Sequence, residues 1–262
     1  MLGAIIGDIV GSRFEMQNIK SKEFTLFDPQ CRVTDDSILS LAICKALMES
    51  KRNQDLLPAL TVKYMRVLGK QYPNAGYGDA FIRWLSAEIP RPYNSFGNGA
   101  TMRVSGCAFF AKNLKEAQYL AKSVTEVTHN HPEALKGAEA LTVAIYMARE
   151  GKSIHDIKEV ILRDYYTIDF TLDSIRKEYT FSPYCQTTVP EAFEAFFEST
   201  SFEDAIRLAV SIGGDSDTIA AMTGSLADAY YGVPRSIRMQ ALPYLDQRLQ
   251  AILFAFEKTI QD

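Results

Sequence analysis

The chain has 262 residues, 47% of them hydrophobic and 23% charged, which suffices for a sizeable core and excludes a disordered or collagen-like polypeptide. Its 28 basic and 32 acidic side chains leave a net charge of −4 with no block of like charge, so nucleic acid is not the expected partner. No apolar run approaches the roughly 18 residues of a membrane span, MLGAIIGDIV lacks the basic leader of a secretory signal, and Cys31, Cys44, Cys107 and Cys185 form no zinc pattern, so a reduced, cytoplasmic protein with no membrane association is expected.

The apolar period is helical nearly throughout and predicts helices over 2–12, 35–50, 55–69, 78–87, 99–111, 114–128, 132–150, 153–164, 190–198, 201–210, 216–231 and 245–259. Segment 35–50 carries its stripe through Ile38, Leu41, Ala42 and Lys45 and opens on Asp35 and Asp36, which suit a helix N-terminus. Pro132 occupies a first turn, Gly151 closes the run before it, and Ser201 with Asp204 resembles a capping box. Lys22–Leu26 and Tyr179–Ser182 are the best strand candidates, both short enough to be loop. Loops at 13–34, 70–77, 88–98 and 165–189 include no low-complexity linker, so an all-α fold in a single domain, 1–262, is expected.

Two acidic clusters stand at helix starts. Thr34-Asp35-Asp36-Ser37 precedes one apolar helix and Gly213-Gly214-Asp215-Ser216-Asp217-Thr218 opens another. Each alone is explained by capping and by complementarity to the helix dipole. If they converge, four carboxylates face one another, and two hard divalent cations would supply the compensating charge through oxygen ligands. Gly76-Tyr77-Gly78-Asp79 and the run Asn94-Ser95-Phe96-Gly97-Asn98-Gly99-Ala100-Thr101-Met102-Arg103 are glycine loops leading into helices, either ordinary turns or backbone cradles for phosphate. Thr128-His129-Asn130-His131-Pro132 holds two of the three histidines, at a spacing unlike that of a helical zinc pair, and either caps two helices or brings one imidazole to a ligand.

Taken in order, Gly3-Ala4, Gly7-Asp8 and Gly11 with Glu15, then TDDS, GYG, GNGATMR, THNHP and GGDSDT resemble the motif set of the ADP-ribosylglycohydrolases over essentially the whole chain. The resemblance implies a compact orthogonal helical bundle with a cleft for two Mg²⁺ or Mn²⁺ ions. It implies hydrolysis of the glycosidic bond between ADP-ribose and an acceptor side chain, with an ADP-ribosylated protein or a small ADP-ribosyl compound as substrate and ADP-ribose as product. By the same resemblance Thr34, Asp35, Asp36, Asp215, Asp217 and Thr218 are metal ligands. Gly76, Gly78 and Ser95 fall where the pyrophosphate is held, within the same glycine loops as Gly97, Asn98 and Gly99; Phe96 falls where a ring packs on adenine, and His129 where a histidine meets the phosphate–ribose region. Asp79 matches an acidic position with a substrate-opening role in some branches, and Ser37 replaces a frequent Thr, a change expected to affect packing alone. Glu15, Asp36 and Asp217 are the catalytic candidates for taking the proton of the attacking water, and the residues do not choose among them.

Two rival readings use the same site: hydrolysis of a small ADP-ribose derivative or other phosphorylated nucleoside, and a non-catalytic ADP-ribose-binding relative. The acceptor is not encoded in any motif, and the loops 16–33 and 165–189 are expected to shape its side of the cleft.

Overall fold

A computed structural model describes residues 1–261 and contains fourteen α-helices among them. The first seven are α1 (Leu2–Gly11), α2 (Asp35–Ser50), α3 (Leu57–Gln71), α4 (Asp79–Ser86), α5 (Ser105–Phe110), α6 (Leu114–Thr125) and α7 (Pro132–Arg149). They are followed by α8 (Ile154–Asp164), α9 (Leu172–Ile175), α10 (Val189–Phe197), α11 (Phe202–Ser211), α12 (Ser216–Tyr231), α13 (Arg235–Ala241) and α14 (Gln247–Gln261). The expected all-α class is observed.

The centre of the bundle is the crossing of α1 and α12, and its cause is legible in the glycines. Gly3, Gly7 and Gly11 recur every four residues and so share one face of α1. A Cβ on Gly3 would lie 2.0 Å from the Gly224 carbonyl oxygen, one on Gly7 1.9 Å from that of Ala220, and one on Gly11 2.5 Å from Asp217 Cα. The two backbones are therefore in direct contact, a distance that only glycine permits. The Gly3 amide donates to Asp228 Oδ2 at 2.9 Å and fixes the register. Around this crossing Ile5, Ile6, Ile9, Ile38, Leu41, Phe193, Phe196 and Phe256 are fully buried in one apolar cluster, each contributing about 1.5–3 kcal/mol of burial.

The structure departs from the sequence expectations at the following places. The helix over 99–111 is broken: a 3-10 turn occupies Asn98–Ala100 and α5 begins only at Ser105. Buried Thr101 bonds its hydroxyl to the Asn98 carbonyl at 2.8 Å, and the chain turns there, delivering Arg103 to the interior. The short helices α9 and α13 lie where no helix is expected; α9 is held by a Thr171–Ser174 capping box, and α13 is too short to show a period. Neither strand candidate pairs: among the described residues the β-type contact is a single Gly97–Tyr184 bridge. Carbonyls in both segments are taken by side chains instead, Lys22 and Phe24 by Arg207 Nη1 at 3.0 and 2.7 Å, and Tyr179 by Lys20 Nζ at 2.5 Å.

All four cysteines are buried and free. Among the described residues no helix is long and apolar enough to cross a membrane.

Candidate active site

The amino end of α2, the carboxyl half of α1 and the amino end of α12 meet at one point. Asp8, completely buried on α1, collects the donors of the α2 N-terminus. It accepts the Thr34 amide at 3.0 Å, the Thr34 hydroxyl at 2.5 Å, the Ser37 amide at 3.1 Å and the Ser37 hydroxyl. No residue of α2 caps its own helix; a carboxylate from another helix does so. Ser37 is therefore bound through its hydroxyl, a group that Thr would also offer.

This arrangement sets Asp36 beside Asp8 and, across the glycine crossing, beside Asp217, with one carboxylate oxygen of each within 4.8 Å of the others. Thr218 donates its hydroxyl to Asp36 Oδ2 at 3.3 Å, Thr34 reaches the same oxygen at 3.5 Å, and Asn98 Nδ2 donates to Asp215 Oδ2 at 2.7 Å. Asp36 Oδ1 is buried with no donor. Among the described residues no Lys, Arg or His lies within ion-pair distance of Asp8, Asp35, Asp36, Asp215 or Asp217.

Burial raises every acid in the group, and repulsion from neighbouring aspartates adds to it at Glu15, Asp35, Asp36 and Asp217. Desolvation, then the charges of Asp8 and Asp215, push Asp35 up to about 8. Asp36 and Asp217 lie well above the usual carboxylate range from burial first and neighbouring aspartates second. Glu15 stands half-buried at the edge, raised by burial and by Asp215 and partly relieved by Arg32 at 3.9 Å. Such a set of oxygen donors, with an orphaned buried Asp36 oxygen and no cationic side chain, fits hard divalent cations of the Mg²⁺ or Mn²⁺ type.

A cleft of about 300 Å³ opens over these acids. Glu15, Asp35, Asp36, Asp215, Asp217 and Thr218 form its floor, Gly76, Gly78 and Asp79 belong to one wall, and Ser95, Gly97, Asn98, Gly99 and His129 to another. Asp35 donates its amide to the Ala75 carbonyl at 2.8 Å, tying the acidic turn to the glycine loop, and Gly76 adopts φ +102° there. Thr34 lies behind the floor, turned toward Asp8. Phe96 is not among the residues that line the cleft; its exposed ring packs with its centroid 4.8 Å from that of Tyr184 and 5.3 Å from that of His131.

The sequence assigns no site role to Asp8, or to Leu39, Ala80, Phe81, Tyr93, Met102, Arg103, Phe181 and Pro183, which line the cleft. The signal for Asp8 is a charge within a helix that is otherwise apolar on every side; for Arg103 it is the basic end of the GNGATMR run. Segment 165–189 reaches the cleft through Phe181 and Pro183, whereas 16–33 supplies no lining residue. Instead Asn18 exchanges hydrogen bonds with both backbone groups of Gly214, at 2.8 and 3.0 Å, and clamps the turn at φ +69° and +72° that delivers Asp215.

The profile of the ADP-ribosylglycohydrolase family matches residues 1–257. The chain is 24% identical to the ADP-ribosylhydrolase ARH3 of Xenopus tropicalis, over 94% of this chain and 91% of the relative, and 24% identical to human ARH3 over 99% and 93%. It is 30% identical to the ADP-ribosylarginine hydrolase Tri1 of Pseudomonas putida (strain GB-1), over 52% of this chain and 39% of the relative. A solved "ADP-ribosylglycohydrolase-related protein complex" superimposes with a TM-score of 0.69 at 23% identity, covering 99% of this chain and 95% of the other, and shows a common fold. The chain belongs to the ADP-ribosylglycohydrolase family and is a hydrolase of that family.

Proposed function

We propose that the protein, acting as one domain in the cytoplasm, removes ADP-ribose from an acceptor side chain in a reaction that depends on two divalent cations. The observation that carries this reading is the buried Asp8–Asp36–Asp217 group with its orphaned Asp36 oxygen, lying beneath a glycine-walled cleft. Thr34, Asp35, Asp36, Asp215, Asp217 and Thr218 would hold the cations. Bound there, such ions supply positive charge that orients the distal ribose hydroxyls and acidifies water.

The chain's own groups divide the remaining work. Gly76, Gly78, Gly97, Gly99 and Asn98 line a surface on which a pyrophosphate can approach the backbone closely, with Ser95 beside it. Phe96 offers its half-exposed ring to adenine, and Asp79 stands at the substrate side of the GYG loop. Breaking the glycosidic bond leaves positive charge on the ribose, which the acidic floor stabilises. Glu15 has a raised pKa and an open position at the edge, which suit it to take the proton of the attacking water; Asp36 and Asp217 are the other acids in reach of that task.

Arginine is the acceptor favoured here by the likeness to Tri1, whose name states that specificity. Purified protein with Mg²⁺ or Mn²⁺, assayed on ADP-ribosyl-arginine, ADP-ribosyl-serine, other defined linkages and free ADP-ribosyl metabolites, tests this. Release of ADP-ribose that stops with chelator and returns with metal is expected. Full turnover in excess chelator overturns the metal dependence, and ADP-ribose binding without turnover of any linkage overturns the enzymatic reading.

A further inference from the structure

Arg103 is among the largest fully buried side chains, yet its guanidinium has one hydrogen-bond partner, Thr128 Oγ1 at 2.6 Å from Nη2. Nε and Nη1 have none. Burying an arginine this way is costly, and packing alone does not require the charge. Burial lowers Arg103 to about 10, so it stays protonated at neutral pH.

The partner it has chosen decides the state of its neighbour. Arginine offers only donors, so Thr128 must accept from it. The single hydroxyl proton of Thr128 then has His129 Nδ1 at 2.8 Å, the Thr125 carbonyl at 3.4 Å and the Tyr93 hydroxyl as acceptors in reach. Donation to His129, the alignment adopted in the proposal below, requires an Nδ1 without a proton. The proton of the neutral ring then sits on Nε2. The Tyr93 side chain also turns toward Thr128, and its ring meets the imidazole edge-on with centroids 5.3 Å apart, which fixes the ring plane. Burial and the Arg103 charge hold the His129 pKa well below its ordinary value, in keeping with a neutral ring.

Nε2 itself points at the glycine loop. A Cβ on Gly99 would come within 3.4 Å of it and one on Gly97 within 3.8 Å, and it bonds to no group among the described residues. We propose that Arg103 and Thr128 form a positioning relay that fixes His129 as the neutral Nε2–H tautomer, so that it presents a hydrogen-bond donor to an anionic oxygen of the ligand in the cleft. Arg103 acts through Thr128 and is a positioning residue. The ligand's identity rests on the proposed function, whereas the tautomer does not.

The test is long-range ¹H–¹⁵N NMR on the intact, histidine-labelled protein, with His131→Ala and His155→Ala used to assign the rings. For His129 the expected pattern is an unprotonated Nδ1 and a protonated Nε2 before any ligand is added. Thr128→Val removes the relay hydroxyl while keeping its shape; it should populate both tautomers and weaken ADP-ribose binding about tenfold, on the scale of one charge-assisted hydrogen bond. Thr128→Ser should restore both readings. A protonated Nδ1 in the unmodified protein, or a Thr128→Val protein with an unchanged tautomer, overturns the relay. Nε2–H protein that fails to bind ADP-ribose overturns the proposed function and leaves the relay standing.

Discussion

Asp8 on α1 accepts both the amide of Ser37, at 3.1 Å, and its hydroxyl, so that the first turn of α2 is anchored by a residue 29 positions earlier in the chain. The acidic turn that faces the cleft is thus held from behind. Its position depends on two helices whose separation is set by glycine.

Asp8→Asn should expose that dependence. An amide offers one acceptor oxygen where the carboxylate has two, and Thr34 and Ser37 point four donors at them. Measured with Mg²⁺ present, the variant should lose about 2–3 kcal/mol, as for hydrogen bonds to a charged group. Thermal unfolding should report a drop of roughly 4–12 °C, with activity falling by about 100-fold or more because Asp36 and Thr34 shift together. Unchanged melting would show that the four bonds carry little energy.

Asp217→Asn acts on the other side of the balance. Without metal the aspartates repel one another, so the variant should be as stable as the parent or more so. The parent should gain roughly 2.7 kcal/mol for each independent site when the cation is at about 100 times its Kd. At roughly 2–4 °C per kcal/mol that is about 5–10 °C of melting temperature. In Asp217→Asn the gain should shrink sharply and catalysis should be lost. Scans of both proteins with chelator and with Mg²⁺ decide it, and a parent whose melting point ignores metal rejects the dinuclear site.

Gly78→Val separates binding from folding. Gly78 has φ −66° and ψ 151°, which valine adopts freely, and a Cβ there meets nothing within 4 Å. The variant should melt with the parent. The added branch should nonetheless obstruct a phosphate on the GYG wall and weaken ADP-ribose by about tenfold or more, read by calorimetry. Equal affinity would move the phosphate elsewhere.

Glu191 gives a pH dependence from an acid that is not among the proposed cation ligands. It is buried in α10 with Oε2 unpartnered, and burial raises its pKa to about 7. Because the folded value exceeds the unfolded one, the folded state binds the extra proton between about pH 4.5 and 7. The stability this group provides is full below its unfolded pKa and is lost as pH rises through 7. Glu191→Gln should flatten that part of the stability profile in urea titrations from pH 5 to 8. The slope is the readout, since the buried glutamine amide also needs a partner.

The chain declares its helices because their starts are written locally: the acids at Asp35, Asp36 and Asp217, Pro132 in a first turn, and the Ser153 and Ser201 caps all act within a few residues of the helix they open. Tertiary structure decided what local signals do not carry. The chain turns after Ala100 where Thr101 bonds the Asn98 carbonyl, and Arg103 is thereby buried against Thr128; the extended segments near 22 and 179 are served by Arg207 and Lys20 in place of a sheet, and 16–33 braces Gly214 away from the cleft lining. Above all, the meeting of two acidic turns nearly 180 residues apart depends on how closely α1 approaches α12: the four-residue spacing of Gly3, Gly7 and Gly11 shows a bare face on α1, and only the packed structure shows that α12 lies against it. Asp8 belongs to the site for the same reason: its four donors come from another helix, and only the packed backbone brings them within reach.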